Sequence, residues 1–189
     1  MPLIKNNRFV VVGGASLLGS HIGRQLLDAG ALEVIFLDNL SLGSTNTIDD
    51  LLLDKRAVFV RADMTKLHEL MDPFSGAAGV FSVAGFLGGP MLNNPWMGLD
   101  VNIRGVQNLL EACRLQKVHK VSFSSSMGVY GKITPDAGTE NAPFAWDELP
   151  PGLVLYSGSK IIGEGLCRLY QQNYGIDCVS LRYSNLPFG

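Results

Sequence analysis

Apolar residues along the chain fall into six short, nearly unbroken runs, separated by longer stretches in which they recur every three or four positions. The runs are RFVVVGG (8–14), LEVIFLDN (32–39), AVFVRAD (57–63), GVFSVAG (79–85), KVSFSSS (120–126) and CVSLRYSN (178–185). Runs this short and this apolar read as strands covered on both faces, since a strand open to water on one side alternates apolar with polar residues. The stretches between them are long enough for helical crossovers. In LLGSHIGRQLLDAG, Leu18, Ile22, Leu26 and Leu27 share one helix face, and Gly30 stands where the helix would stop. In VNIRGVQNLLEACRLQ, Val106, Leu109, Leu110 and Cys113 recur at the same period. Strands alternating with helices predict an α/β domain on a doubly wound parallel sheet with helices on both faces.

Composition narrows the class. The 189 residues are 47% hydrophobic and 17% charged, which suits one globular domain spanning residues 1–189. A formal net charge of −2, without any block of like charges, leaves no electrostatic footprint for nucleic acid or an anionic membrane surface. Small molecules are the expected partners. Cys113, Cys167 and Cys178 are scattered and lack CxxC spacing, so neither a disulfide framework nor a zinc site is expected, and a cytoplasmic protein fits best. His21, His68 and His119 have no ligand-like spacing, so no metal is expected. The first residues end in glycines rather than a cleavage site, and no stretch approaches a membrane span.

Two stretches lack helical or strand period. Ile133 to Gly152 holds four prolines and two glycines and reads as a long loop, with Glu140, Asn141 and Pro143 in a structural turn. GFLGGPMLNNPW (85–96) reads as a loop that either covers a ligand or packs against a further part of the protein.

The first strand runs into GGASLLG and then a helix, and Asp38 ends the second strand. A glycine turn at that place lets backbone N–H groups and a helix N-terminus face a pyrophosphate, and the carboxylate can accept from the adenosine ribose hydroxyls. Asp38 would repel a 2′-phosphate, which favours NAD over NADP. Ser16 occupies the place of the fingerprint's middle glycine, where its side chain either hydrogen-bonds a phosphate oxygen or weakens binding. Asp63, ending the third strand, either caps the following helix or borders the adenine, and the two roles are compatible.

The fifth strand ends in FSSSMGVYG (123–131), and YSGSK follows at 156–160. If Tyr156 and Lys160 lie in the first turn of a helix beside that strand end, their spacing places both on one face. The lysine charge would then favour phenolate over phenol and ready Tyr156 as a general base, with Ser126 holding the substrate oxygen in line. Taken alone, Tyr-x-x-x-Lys is a common pair on a solvated helix face; the glycine turn and serine strand give it weight.

With VVGGASLLGSHI, LDNLSLG, RADMTK, VFSVAG, DVNIRGVQNLLEAC, VSFSSSMGVYG, YSGSKIIGE and LRYSNLPFG in this order, the chain resembles an extended short-chain dehydrogenase/reductase over nearly its whole length. It is most similar to the NAD-dependent nucleotide-sugar epimerase and dehydratase branch, typified by UDP-glucose 4-epimerase. The resemblance implies a Rossmann-type domain whose turn, from Gly13 through Ser16, Leu17 and Leu18 to Gly19, holds the pyrophosphate. It implies Asp38 and Asn39 at the ribose, Asp63 and Met64 at the adenine, and Val83, Ala84 and Gly85 along the cofactor. Asn102 would brace the backbone near the site and Ser124 would lie by the nicotinamide half. Ser126 would bind the reacting sugar hydroxyl, Tyr156 would be the base, and Lys160 would hold the nicotinamide ribose.

The implied reaction is epimerisation of a nucleotide sugar through a transient keto sugar, with NAD accepting and returning the hydride. Dehydratases of this branch place an acidic pair directly after the catalytic hydroxyl residue, where this chain has Met127 and Gly128. A reductase, a dehydratase of unusual kind, or a non-catalytic NAD-binding protein are the alternatives. The resemblance also implies a C-terminal substrate domain beyond Gly189. The chain is therefore expected to be the N-terminal part of a longer enzyme, inactive on its own, whose full-length form has a homodimer among its open states.

Overall fold

Each of the six apolar runs forms a strand in the structure, a computed structural model that describes residues 4–131 and 140–184. The strands β1 (Arg8–Val12), β2 (Glu33–Asp38), β3 (Ala57–Arg61), β4 (Gly79–Ser82), β5 (Lys120–Ser126) and β6 (Asp177–Tyr183) are all parallel, in the order β3-β2-β1-β4-β5-β6. The chain walks outward from β1 to β3 and then returns to lay β4 on the other side of β1. That reversal leaves a crevice at the carboxyl ends of β1 and β4, the place where such sheets bind ligands. Asn185, at the end of the last apolar run, lies outside the described residues.

The apolar runs are nearly continuous because alternate residues feed two cores. Phe9, Val11, Val34 and Phe36 pack under α1 (Leu17–Asp28) with Leu26, Leu27 and Ile48. Val10, Val12, Ile35, Leu37 and Phe123 face the opposite way, towards α2 (Leu67–Phe74), α5 (Val106–Leu115) and α6 (Pro151–Tyr174). Phe36 is wholly buried, and truncating such a side chain to alanine costs about 3–5 kcal/mol.

Four local features depart from the sequence reading. No α-helix crosses between β2 and β3: two 3-10 turns, Thr45–Thr47 and Leu51–Leu53, carry the chain instead. SLGSTNTIDD is too polar for a helix face, and the Ser44 side chain accepts from the Asn46 N–H, holding a turn. The 85–96 stretch is not a plain loop: it forms α3 (Gly88–Asn93) and the start of α4 (Pro95–Leu99), with Asn94 capping the Met97 N–H at 3.1 Å. The helix expected from residue 101 opens with a π-helical segment, Asp100–Gly105, before α5.

Finally, the long loop ends earlier than expected. Its residues 132–139 lie outside the described residues, and α6 begins at Pro151, a first-turn position that suits proline. Tyr156 therefore stands in the second turn of α6 and not the first.

Candidate active site

At the end of β1 the chain turns sharply at Gly13, whose φ of +85° is a region that L side chains rarely enter, and whose missing Cβ admits Ala84. Gly19 has no room for a side chain either, because a Cβ there would collide with the Gly13 carbonyl oxygen. Ser16 is the N-cap of α1. Its hydroxyl donates to Gly13 O at 2.6 Å and accepts from Gly19 N–H at 3.1 Å, so the residue that departs from the glycine fingerprint staples the turn shut. Leu17 and Leu18 are the first residues of α1, where N–H groups have no intrahelical acceptor.

A cleft of about 350 Å³ opens above this turn. Gly13, Ser16, Leu17, Asp38 and Asn39 line it together with Asp63, Met64, Val83, Ala84 and Gly85. Asp38 accepts from Ala15 N–H at 3.1 Å and from Leu40 N–H at 2.8 Å, one bond to each oxygen. Two further lone-pair positions remain for outside donors. The cleft also takes in Ser41, Leu42, Gly43, Ser44 and Thr47, which the site reading of the sequence did not single out. Gly43 is the sequence signal for them: a Cβ there would lie 2.6 Å from the Ala15 carbonyl oxygen, so the loop after β2 folds closely onto the glycine turn.

Asp63 does not cap a helix. Its Oδ1 accepts from the Thr65 N–H at 2.9 Å and the Thr65 hydroxyl at 2.8 Å, forming a local turn, while Lys66 stands at the N-cap of α2 without a capping side chain. Burial tends to raise the Asp63 pKa, but these bonds and the one from Asn39 outweigh it and hold the carboxyl below its ordinary range. Asp63 and Asn39 thus form one anionic corner at the far end of the cleft.

Lys160 is only 6% exposed, and its ammonium donates to Ser124 O at 2.8 Å. Its Nζ lies 5.8 Å from the Tyr156 ring centroid and 5.2 Å from that of Phe123. Burial pushes the Lys160 pKa down to about 8. The approach of α6 to β5 depends on Gly163, because any Cβ there would collide with the Phe123 ring. At the end of β5 the Ser126 hydroxyl accepts from Gly128 N–H at 3.1 Å, capping the short turn Met127–Tyr130. A Cβ built on Gly128 would lie 3.3 Å from Ser126 Oγ and 3.6 Å from Tyr156 Cε1, so Ser126 and Tyr156 border the same small space.

Asn102 joins the two halves. Its amide donates to Phe86 O at 2.9 Å and to Ser159 Oγ at 3.0 Å, its oxygen accepts from Phe86 N–H at 2.8 Å, and Ser159 donates to Tyr156 O at 2.6 Å. The π-helical segment carries Asn102, a placement common for such bulges at functional sites. Gly85 marks the junction: it lines the cleft, and a Cβ on it would lie 3.3 Å from both Asn102 Oδ1 and Lys160 Nζ. Leu18, Gly19, Asn102, Ser124, Ser126, Tyr156 and Lys160 do not line the cleft itself. Ser159, which sits inside YSGSK, was not singled out in the sequence, and a serine between two helix-face residues carries no signal of its own.

Residues 9–187 match the model of the NAD dependent epimerase/dehydratase family. The chain belongs to that family. It is 33% identical over 179 residues to the UDP-glucose 4-epimerase of Lacticaseibacillus casei, an alignment covering 93% of this chain and 50% of that one. Among solved structures, the Thermus thermophilus UDP-glucose 4-epimerase in complex with NAD superposes with a TM-score of 0.78 at 32% identity, covering 93% of this chain and 54% of that one. The Streptomyces venezuelae dTDP-glucose 4,6-dehydratase DesIV with NAD bound gives a TM-score of 0.83 at 29% identity, with 93% and 55% covered. The chain spans about half the length of the relatives it matches.

NAD is the cofactor of this family, and the residues present fit it. The first-turn N–H groups of α1 lack intrahelical acceptors, the cleft opens beside them, and Asp38 keeps free lone pairs facing it. Among the described residues no helix is long and apolar enough to cross a membrane.

Proposed function

We propose that the protein epimerises a nucleotide sugar in the manner of UDP-glucose 4-epimerase, with Tyr156 as base, Ser126 binding the reacting hydroxyl and Lys160 supporting both cofactor and base. The observation that carries this reading is the buried Lys160 ammonium near Tyr156, bonded to Ser124 O on β5 and next to Gly85 of the cleft. The turn from Gly13 to Gly19 would hold the pyrophosphate, Asp38 and Asn39 the ribose, Asp63 and Met64 the adenine, and Val83, Ala84, Gly85 and Ser124 the nicotinamide half. When bound, NAD supplies a hydride acceptor that returns the hydride to the same sugar carbon. Tyr156 takes the proton of the sugar hydroxyl as the carbon is oxidised and gives it back on reduction, with the Lys160 Nζ 5.8 Å from its ring centroid. Ser126 fixes the oxygen in line, and Asn102 holds Phe86 and α6 at a set distance.

Epimerisation is favoured over elimination of water by the residues after Ser126. Elimination needs a further acid and base. Met127 and Gly128 supply neither, and a Cβ on Gly128 would require the Ser157 hydroxyl, 2.9 Å away, to move. Turnover of a panel of UDP- and GDP-sugars with NAD by the full-length protein tests the reading; NAD binding without turnover of any sugar would favour a reductase or a non-catalytic NAD-binding protein.

The assembly we propose is a homodimer through α6. Leu155, Gly158, Ile162, Gly165 and Leu169 form one face of the helix, opposite Tyr156 and Lys160, with three large apolar side chains exposed at seven-residue spacing. Sedimentation of Ile162→Glu as a monomer beside a dimeric parent would support it, and a monomeric parent would rule it out. The three free cysteines support a reducing, cytoplasmic setting.

A further inference from the structure

Glu164 follows Lys160 by one helical turn on the same face of α6 as Tyr156, yet nothing in the mechanism above uses it. It is 9% exposed, and its carboxylate collects three hydrogen bonds. The Ser125 hydroxyl donates to Oε1 at 2.6 Å, Arg182 Nε donates to the same oxygen at 2.9 Å, and Arg182 Nη2 donates to Oε2 at 2.8 Å. The remaining arm of the guanidinium donates to the Tyr130 hydroxyl at 2.7 Å and to Glu140 O at 2.6 Å, with the Arg182 head 4.9 Å from the Tyr130 ring centroid.

These contacts bracket Ser126. Ser125 precedes it on β5, and Tyr130 ends the Met127–Tyr130 turn that Ser126 caps. One carboxylate therefore holds the residue before Ser126 directly and the turn after it through Arg182. One turn earlier on α6, Lys160 holds Ser124 O. Two consecutive strand residues are thus tied to two turns of the helix that carries Tyr156, and Ser126 follows them directly on the strand. A partly buried ion pair gains little stability, because desolvating the charges offsets much of their attraction. A bidentate arginine fork is instead a good way to fix geometry.

We propose that Glu164 is a positioning residue: through Ser125 and Arg182 it sets the end of β5 against α6 and so holds Ser126 in line with Tyr156. The inference rests on the catalytic reading of Ser126 and Tyr156 given above. Neither Glu164 nor Ser125 lines the cleft, and both are assigned to act through Ser126.

The test is kinetic, on the full-length protein with NAD, UDP-glucose and UDP-galactose. Ser125→Ala leaves the ion pair intact and so keeps the fold; it is expected to lower kcat about tenfold while KM and the NADH dissociation constant stay within about threefold. Glu164→Gln is expected to give at least the same loss. Because Ser125 acts through Ser126, the loss should nearly vanish when Ser125→Ala is made in a Ser126→Ala background. An unchanged kcat in Ser125→Ala, or an undiminished loss in the Ser126→Ala background, overturns the proposal and leaves the catalytic reading standing. Full activity of Tyr156→Phe and Ser126→Ala would instead remove the catalytic reading and the positioning role with it.

Discussion

The Lys160 ammonium reaches the Ser124 carbonyl oxygen across 2.8 Å in a site with almost no access to water, tying the tyrosine helix to the strand that ends in serines. Burial brings its pKa down to about 8, whereas a solvated lysine keeps its proton to about 10.5. Between those values the unfolded chain binds more protons than the folded one, so this group makes stability rise with pH across that window. Lys160→Met removes the effect. In urea unfolding from pH 7 to 11, the parent should gain on the variant by about 1.4 kcal/mol per pH unit within the window. Parallel curves would show that folding leaves the lysine's hold on its proton unchanged, contrary to the burial described.

Ser16→Gly should move stability and affinity in opposite directions. Replacing this N-cap by glycine costs a few tenths of a kcal/mol. It also removes the Cβ from the pyrophosphate's approach and releases the Gly19 N–H, so NADH should bind several-fold more tightly. Fluorescence titration and thermal unfolding of this chain measure both; weaker binding would mean that the hydroxyl contacts the phosphate itself.

Asp38→Asn keeps the shape of the residue and removes its charge. The discrimination against NADPH, expressed as the ratio of the NADPH and NADH dissociation constants, should fall about tenfold, equivalent to 1.4 kcal/mol. A ratio unchanged by the substitution would place the 2′ position of the cofactor away from Asp38.

Much of this architecture is legible in the chain because strands buried on both faces cannot hide their composition. RFVVVGG and LEVIFLDN, for example, both fill two cores. Asp38 at a strand end and Gly13 at a turn are visible for a related reason, since each is imposed by backbone geometry that few residues satisfy. The β2–β3 connection was not legible as turns, because its length alone suggests a helix while Ile48 and Leu51 do the covering. The role of Ser16 depends on which way a hydroxyl rotates, and that of Asp63 on a hydrogen bond to Thr65, and neither leaves a periodic trace. The Glu164, Ser125 and Arg182 cluster joins three elements up to 57 residues apart and emerges only once β5, β6 and α6 are packed.

The measurement that bears most directly on this account is product analysis by NMR after incubating the full-length protein with NAD and a panel of UDP- and GDP-sugars, beside Tyr156→Phe. The account predicts interconversion of two epimers, with kcat reduced by about 10²–10⁴-fold in the variant and NADH binding retained. Equal turnover by parent and variant would contradict it.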